Sequence, residues 1–191
     1  MPLSIKLSKA ETSKLIIGFV SLLACTLFAI STAFADKLQA VEVEVTQDYP
    51  SVNHILSRDL RSYQKDDVLL FDVREEDEFA VSHLPGAIQV DPALSGMEFL
   101  GKYGDLIASK PHSVFYCSVG VRSSEMAMRV REALTDQPAP SLHNLQGGIF
   151  RWHNESLPLR RGQAKTDFVH PYNWRWGRLV NRRDLTRYEP E

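Results

Sequence analysis

Hydrophobic residues follow three different patterns along the chain. From Leu15 to Phe34 they form a nearly unbroken run, interrupted only by Gly18, Ser21, Thr26, Ser31 and Thr32. From Val41 to Val45 they alternate with acids (Val41-Glu42-Val43-Glu44-Val45) before Pro50, which reads as a linker or an edge strand over residues 36–52. From residue 53 onward they come in short blocks. Val68-Leu69-Leu70-Phe71 and Ser113-Val114-Phe115-Tyr116 predict strands buried on both faces, as in a parallel sheet. Ile88-Gln89-Val90 and Leu142-His143-Asn144-Leu145 predict two more. Between them lie helical patterns. Arg58 to Gln64 is capped by Ser57. A helix follows the acidic cluster Glu75-Glu76-Asp77-Glu78, whose charge suits a helix N-terminus, and Leu84-Pro85-Gly86 ends that unit. Phe99, Leu100, Tyr103, Leu106 and Ile107 mark a helix over 96–109, and Met126, Val130 and Leu134 mark one over 123–134. Gly147-Gly148 turns into a last short helix through Trp152. Alternating strands and helices predict an α/β fold with an open, mainly parallel sheet. Ligands of such sheets bind beyond the carboxyl ends of the strands, and Cys117 directly follows one.

The first 35 residues form a separate signal. Lys6, Lys9 and Lys14 precede the apolar run, and Ala33-Phe34-Ala35 closes it before polar Asp36-Lys37. This is the pattern of a secretory signal peptide cut after Ala35, which makes the protein exported and periplasmic. A run of about 20 apolar residues also suffices for an uncleaved membrane anchor over 15–34. The two readings stay open, and the membrane is a partner only under the second. Leu22-Leu23-Ala24-Cys25 is a poor lipoprotein box because Leu23 fits it badly. Cleavage removes Cys25 and leaves Cys117 as the one thiol, so no internal disulfide can form. The remaining charge is lopsided: residues 36–159 carry 11 Lys/Arg against 19 Asp/Glu, and residues 160–191 carry eight against four. An acidic body repels phosphate, which argues against nucleic acid as a partner.

The chemistry concentrates in Cys117-Ser118-Val119-Gly120-Val121-Arg122-Ser123. A buried strand delivers the thiol, Gly120 permits a tight turn, and a helix begins at about Ser123, which is placed to cap it. Successive N–H groups in such a strand–loop–helix make an anion nest. The nest, the helix terminus and Arg122 each favour a thiolate, hence a nucleophilic sulfur at neutral pH. The same cradle suits a negatively charged terminal sulfur on Cys117.

Four segments in order resemble the single-domain rhodanese family over about residues 53–159. They are Asp72-Val73-Arg74 with Glu78 and Phe79; His83-Leu84-Pro85-Gly86-Ala87; the Cys117–Ser123 loop; and Leu145-Gln146-Gly147-Gly148 with Trp152. The resemblance implies a rhodanese-like sheet with helices on both faces. It also implies transfer of sulfane sulfur from thiosulfate or a related donor to a thiol or cyanide acceptor, which can be a partner protein. Cys117 is then the nucleophile and persulfide carrier, and Arg122 the grip on an anionic donor. Ser118, Val119, Gly120, Val121 and Ser123 are the substrate-binding loop, with backbone amides that stabilise charged sulfur. Related phosphatases of this fold place five residues between Cys and Arg, whereas four lie between Cys117 and Arg122 here. A carrier or interaction module with little free turnover is the alternative function.

Other residues receive structural roles. Asp72 bonds backbone near its strand end, Arg74 makes an ion pair, and Glu78 and His83 orient the connecting turn. His112 and His143 are surface or satisfied, and Phe150 and Trp152 are core. Scattered His83, His112, His143, His153 and His170 give no metal-ligand spacing, and nothing calls for a cofactor. Residues 160–191 form an aromatic, basic tail. Its Phe168, Tyr172, Trp174 and Trp176 are costly to leave in water, which predicts packing on the domain. Arg175, Arg178, Arg182 and Arg183 are expected to meet carboxylates, the tail to act as a strap more than as a border of the site, and the chain to fray beyond Arg182.

Overall fold

The computed structural model describes residues 37–134 and 141–190. The leader or anchor over 1–35, with Cys25, lies outside the described residues. The first described element is helix α1 (Lys37–Asp48), followed by strand β1 (Asn53–Ile55) and short helix α2 (Ser57–Leu60). Then come β2 (Val68–Asp72), α3 (Glu76–Val81), β3 (Ile88–Gln89), α4 (Gly96–Ala108), β4 (His112–Tyr116) and α5 (Val121–Ala133). Strand β5 (Ser141–Leu145), helix α6 (Gly148–Asn154) and a hairpin of β6 (Leu159–Arg161) and β7 (Ala164–Thr166) follow. Two 3₁₀ turns, Trp176–Leu179 and Arg183–Leu185, lie in the tail.

Five strands form one sheet in the order β1-β5-β4-β2-β3. Every pairing in it is parallel, with Phe71 opposite Phe115 and Phe115 opposite Asn144 in the centre. Each apolar block is therefore covered twice, and two cores result. On one face Phe99, Tyr103 and Ile107 of α4 and Met126, Ala127 and Val130 of α5 pack on Leu69, Phe71, Phe115 and Leu142. On the other, Leu38 of α1 and Ile149, Phe150 and Trp152 of α6 pack on Val114, Tyr116 and Leu145. The expected α/β architecture, an open parallel sheet with helices on both faces, is the one observed.

Three local expectations are corrected. Residues 37–48 form a helix, not a linker or edge strand. Its buried residues are Leu38, Glu42 and Val45, spaced as one helical face. Glu42 is buried because its carboxylate takes a two-pronged bond from Arg151, at 2.6 Å (Nε) and 2.8 Å (Nη2). A buried acid in the apolar stripe made the pattern look alternating. Ser57 does not cap α2; Leu56 holds that place without a side-chain bond, and the Ser57 hydroxyl donates to Glu155 instead. The tail does not fray at Arg182. Val169 donates to Leu185 O at 3.0 Å and Arg187 to Val169 O at 3.1 Å, with Val169 and Val180 buried in the second core.

Candidate active site

Strand β4 ends at Tyr116 and the chain enters the loop that begins with Cys117. The side chain is only 2% exposed, yet its sulfur faces the inside of the loop: the Gly120 N–H donates to Sγ at 3.2 Å. Gly120 has φ 114°, a left-handed conformation that a side chain resists, and a Cβ there would lie 3.1 Å from Asn144 Nδ2. Helix α5 starts at Val121, two residues earlier than expected, with Gly120 as its N-cap. The Ser124 amide bonds Gly120 O at 3.1 Å, the first turn of the helix. The N–H groups of Val121, Arg122 and Ser123 thus have no intrahelical acceptor and form the positive end of the helix dipole beside the sulfur.

The early start changes the role of Ser123. It lies inside the helix and does not cap it. Its hydroxyl sits 3.5 Å from Sγ and 2.6 Å from Asn144 Oδ1. Asn144 in turn donates to His54 Nδ1 at 3.1 Å, so a chain of polar groups, buried as far as Asn144, backs the sulfur. The other side of the loop is fixed by α6. Ile149 N–H donates to Cys117 O at 2.9 Å and Phe150 N–H to Ser118 O at 3.1 Å. Because a peptide unit is planar and trans, these bonds turn the amides of Ser118 and Val119 away from α6. Gly148, φ 53°, allows the approach: a Cβ there would lie 2.3 Å from Cys117 O.

Arg122 is already engaged. It pairs with Glu78 through Nη1–Oε2 at 2.8 Å and Nη2–Oε1 at 3.0 Å, and Nη2 also donates to Ser118 Oγ at 3.1 Å. Ser118 Oγ lies 3.0 Å from Glu78 Oε1. Burial alone would push the Glu78 carboxyl up, but the hydrogen bonds and charge of Arg122, with Arg74 further off, hold it below its usual value. Burial likewise opposes the charge on Arg122, and Glu78 and the nearby Cys117 more than restore it. Glu78, expected only to orient a turn, is thus part of the site. The signal was present, but four consecutive acids hid which one faces the loop. The neighbouring Asp72–Arg74 pair is structural as expected. Both side chains are fully buried, joined at 2.8 Å and 2.6 Å, and Arg74 also donates to Ser82 O. His83 bonds Leu84 O through Nδ1 at 3.0 Å and stacks on Phe79, away from the sulfur's contacts.

A pocket of about 170 Å³ opens in front of the thiol, lined by Cys117, Ser118, Val119, Val121, Arg122, Tyr172 and Trp176. The last two belong to the tail. Tyr172 lies under the Arg122 guanidinium, 4.9 Å from ring centroid to Cζ. The tail is therefore both a strap and a border of the site, where the strap alone was the favoured expectation. Arg175, Arg178, Arg182 and Arg183 do not meet carboxylates among the described residues. Arg178 stacks on Trp174 at 4.6 Å and Arg182 donates to His153 O at 3.2 Å. His112 and His143 were expected to be surface or satisfied, yet His143 is buried and His112 Nδ1 is buried without a hydrogen-bond partner. Tyr63 stacks on His112 at 4.2 Å, and both ring nitrogens of His143 are buried without a hydrogen-bond partner.

Comparison with known proteins bears on this site. The family model described as Rhodanese-like domain matches residues 58–155. The chain is 30% identical over 139 residues to the uncharacterised protein YibN of Escherichia coli strain K12, covering 70% of this chain and 91% of that protein. It is 32% identical over 101 residues to the adenylyltransferase and sulfurtransferase UBA4 of Meyerozyma guilliermondii, covering 51% of this chain and 23% of that protein. Among solved structures, the thiosulfate sulfurtransferase from Pseudomonas aeruginosa superposes with a TM-score of 0.49 at 18% identity, over 76% of this chain and 26% of that one. The chain thus spans about a quarter of the length of the two sulfurtransferases. The family match covers half of the chain and includes the Cys117 loop, its Glu78 partner and the α6 turn that anchors it: the chain belongs to the rhodanese-like domain family.

Proposed function

We propose that the protein is a sulfurtransferase that carries sulfane sulfur as a persulfide on Cys117, from thiosulfate or a related donor to a thiol or cyanide. One observation carries this reading: the Cys117 sulfur sits 3.2 Å from the Gly120 N–H, at the open N-terminus of α5. In the first step the thiolate attacks the outer sulfur of the donor. The Sγ–S bond forms, the donor S–S bond breaks, and the electron pair leaves with sulfite. In the second step the acceptor attacks the terminal sulfur and the electron pair returns to Cys117; a thiol acceptor gives up its proton to solvent. Both steps leave negative charge on sulfur in the loop, where main-chain donors stabilise it without reorganising. The chain's other cysteine, Cys25, falls in the leader-like segment, so the acceptor must come from outside. With that leader, cut as a signal peptide or kept as a membrane anchor over 15–34, the chemistry belongs to an exported, periplasmic protein.

Incubating the protein with thiosulfate and measuring its intact mass tests the reading. The expected result is a gain of one sulfur, removed by cyanide and absent from Cys117→Ser. A protein that gains no sulfur from thiosulfate, polysulfide or a thiosulfonate would refute it.

A further inference from the structure

The family match ends at residue 155, but the wall of the Cys117 pocket does not: Tyr172 and Trp176 complete it from the tail. Tyr172 is held there deliberately. Its φ is 62°, a left-handed conformation rare for a residue with a large side chain, and its N–H donates to His170 Nδ1 at 3.0 Å. His170 itself is buried. The next turn is tied by Asn173 Oδ1, which accepts from the amides of Arg175 and Trp176 at 3.0 Å each. The outcome is an aromatic ring against the Arg122 guanidinium and a second aromatic side chain in the pocket lining.

Two properties of the pocket follow. Apart from the thiol and Ser118, its lining is Val119, Val121, Tyr172, Trp176 and Arg122. The guanidinium is neutralised by the two-pronged bond to Glu78 and covered by Tyr172, so it offers an incoming dianion no uncompensated charge. The volume is about 170 Å³. An apolar cavity of about 150 Å³ is enough to hold benzene. We propose that Tyr172 and Trp176 make the Cys117 pocket select a sulfur donor or acceptor with a small apolar body, a short aliphatic or single aryl group, over a bare inorganic dianion. This rests on the sulfur-transfer reading and narrows its substrate class to small organic thiosulfonates, persulfides and thiols. For a thiosulfonate the step balances as for thiosulfate: the Cys117 thiolate takes the outer sulfur, the donor S–S bond breaks, and its electron pair leaves with the sulfinate.

Benzenethiosulfonate and thiosulfate make the test, since they differ in the body attached to the same sulfane sulfur. With cyanide as acceptor, the full chain is expected to show kcat/KM roughly tenfold or more higher for benzenethiosulfonate, the scale on which an apolar pocket discriminates. Tyr172→Gly removes the ring and relieves the left-handed backbone, so it keeps the fold while lowering that ratio about tenfold. Trp176→Leu is expected to lower it in the same direction. A wild-type preference for thiosulfate, or a ratio that neither substitution changes, overturns the proposal while leaving sulfur transfer standing. Absence of sulfur loading from both donors overturns this proposal, and absence from polysulfide as well overturns the transfer reading with it.

Discussion

At the scale of single residues, the site turns on how Arg122 spends its charge. A guanidinium next to a nucleophilic sulfur is expected to grip an anionic donor, yet here Glu78 takes both prongs of the fork. Glu78→Gln keeps the shape and removes the carboxylate charge. It is expected to lower KM for thiosulfate roughly tenfold, the worth of one freed charge-assisted hydrogen bond of about 1.5 kcal/mol. The melting temperature should drop at the same time, because Glu78 is a buried partner. Steady-state kinetics and thermal melting check both, and a KM that stays the same or rises would show that Glu78 does not restrain Arg122. Cys117, Gly120 and Arg122 were legible in the sequence because their spacing is set by one short loop. The roles of Glu78 and Asn144 were not. They reach the loop from a helix and a strand, 39 and 27 positions from Cys117 in the chain, and depend on helical phase and strand register.

At the scale of elements, helix α6 is the part of the scaffold that shapes the loop. Its first amides hold the carbonyls of Cys117 and Ser118, and Gly148 lets the two backbones touch. Gly148→Ala puts a Cβ 2.3 Å from Cys117 O, with backbone atoms on both sides that cannot swing away. The loop must shift by a large part of an ångström, for which a loss of about a hundredfold in kcat/KM is expected. An unaltered rate in Gly148→Ala would mean that the α6 contact does not set the loop. The β2 and β4 blocks were legible because burial on both faces leaves an unbroken apolar run in each, Val68 to Phe71 and Val114 to Tyr116. Helix α1 was not, since its stripe includes Glu42, buried only because Arg151 of α6 answers it. A partner more than a hundred residues away is invisible to local periodicity.

At the scale of the whole molecule, the second core ties the tail to the sheet and brings several histidines inside. Burial, with the His112 ring nearby, pulls His143 below the ordinary 6.5. Burial also lowers His153 and His170, against the smaller pull of neighbouring acceptors and acids. The unfolded chain binds protons on these rings more readily, so stability rises with pH. It is fully present above about 6.5 and falls as the medium becomes more acidic, by no more than about 1.4 kcal/mol per pH unit for each ring. Glu78, held below its ordinary 4.5, adds a further loss as pH falls below that value and through its own lower one. Urea midpoints are therefore expected to be lower at about pH 5.5 than at about pH 7.5, and His143→Leu should flatten the difference. Equal midpoints would place those rings in water. The aromatic density of the tail announced that it packs; which surface it covers follows only from the buried Val169 and Val180 and the strained turn at Tyr172.

If Cys117 carries sulfur as proposed, the loop from Ser118 to Ser123 holds that sulfur as an anion. A crystal structure of the protein after exposure to a sulfane donor tests it most directly. A second sulfur is expected on Cys117 Sγ, lying inside the loop within hydrogen-bond reach of its main-chain amides and facing Tyr172 and Trp176. A donor-treated crystal with an unmodified thiol, or with the added sulfur turned out of the loop and touching none of those amides, would contradict it.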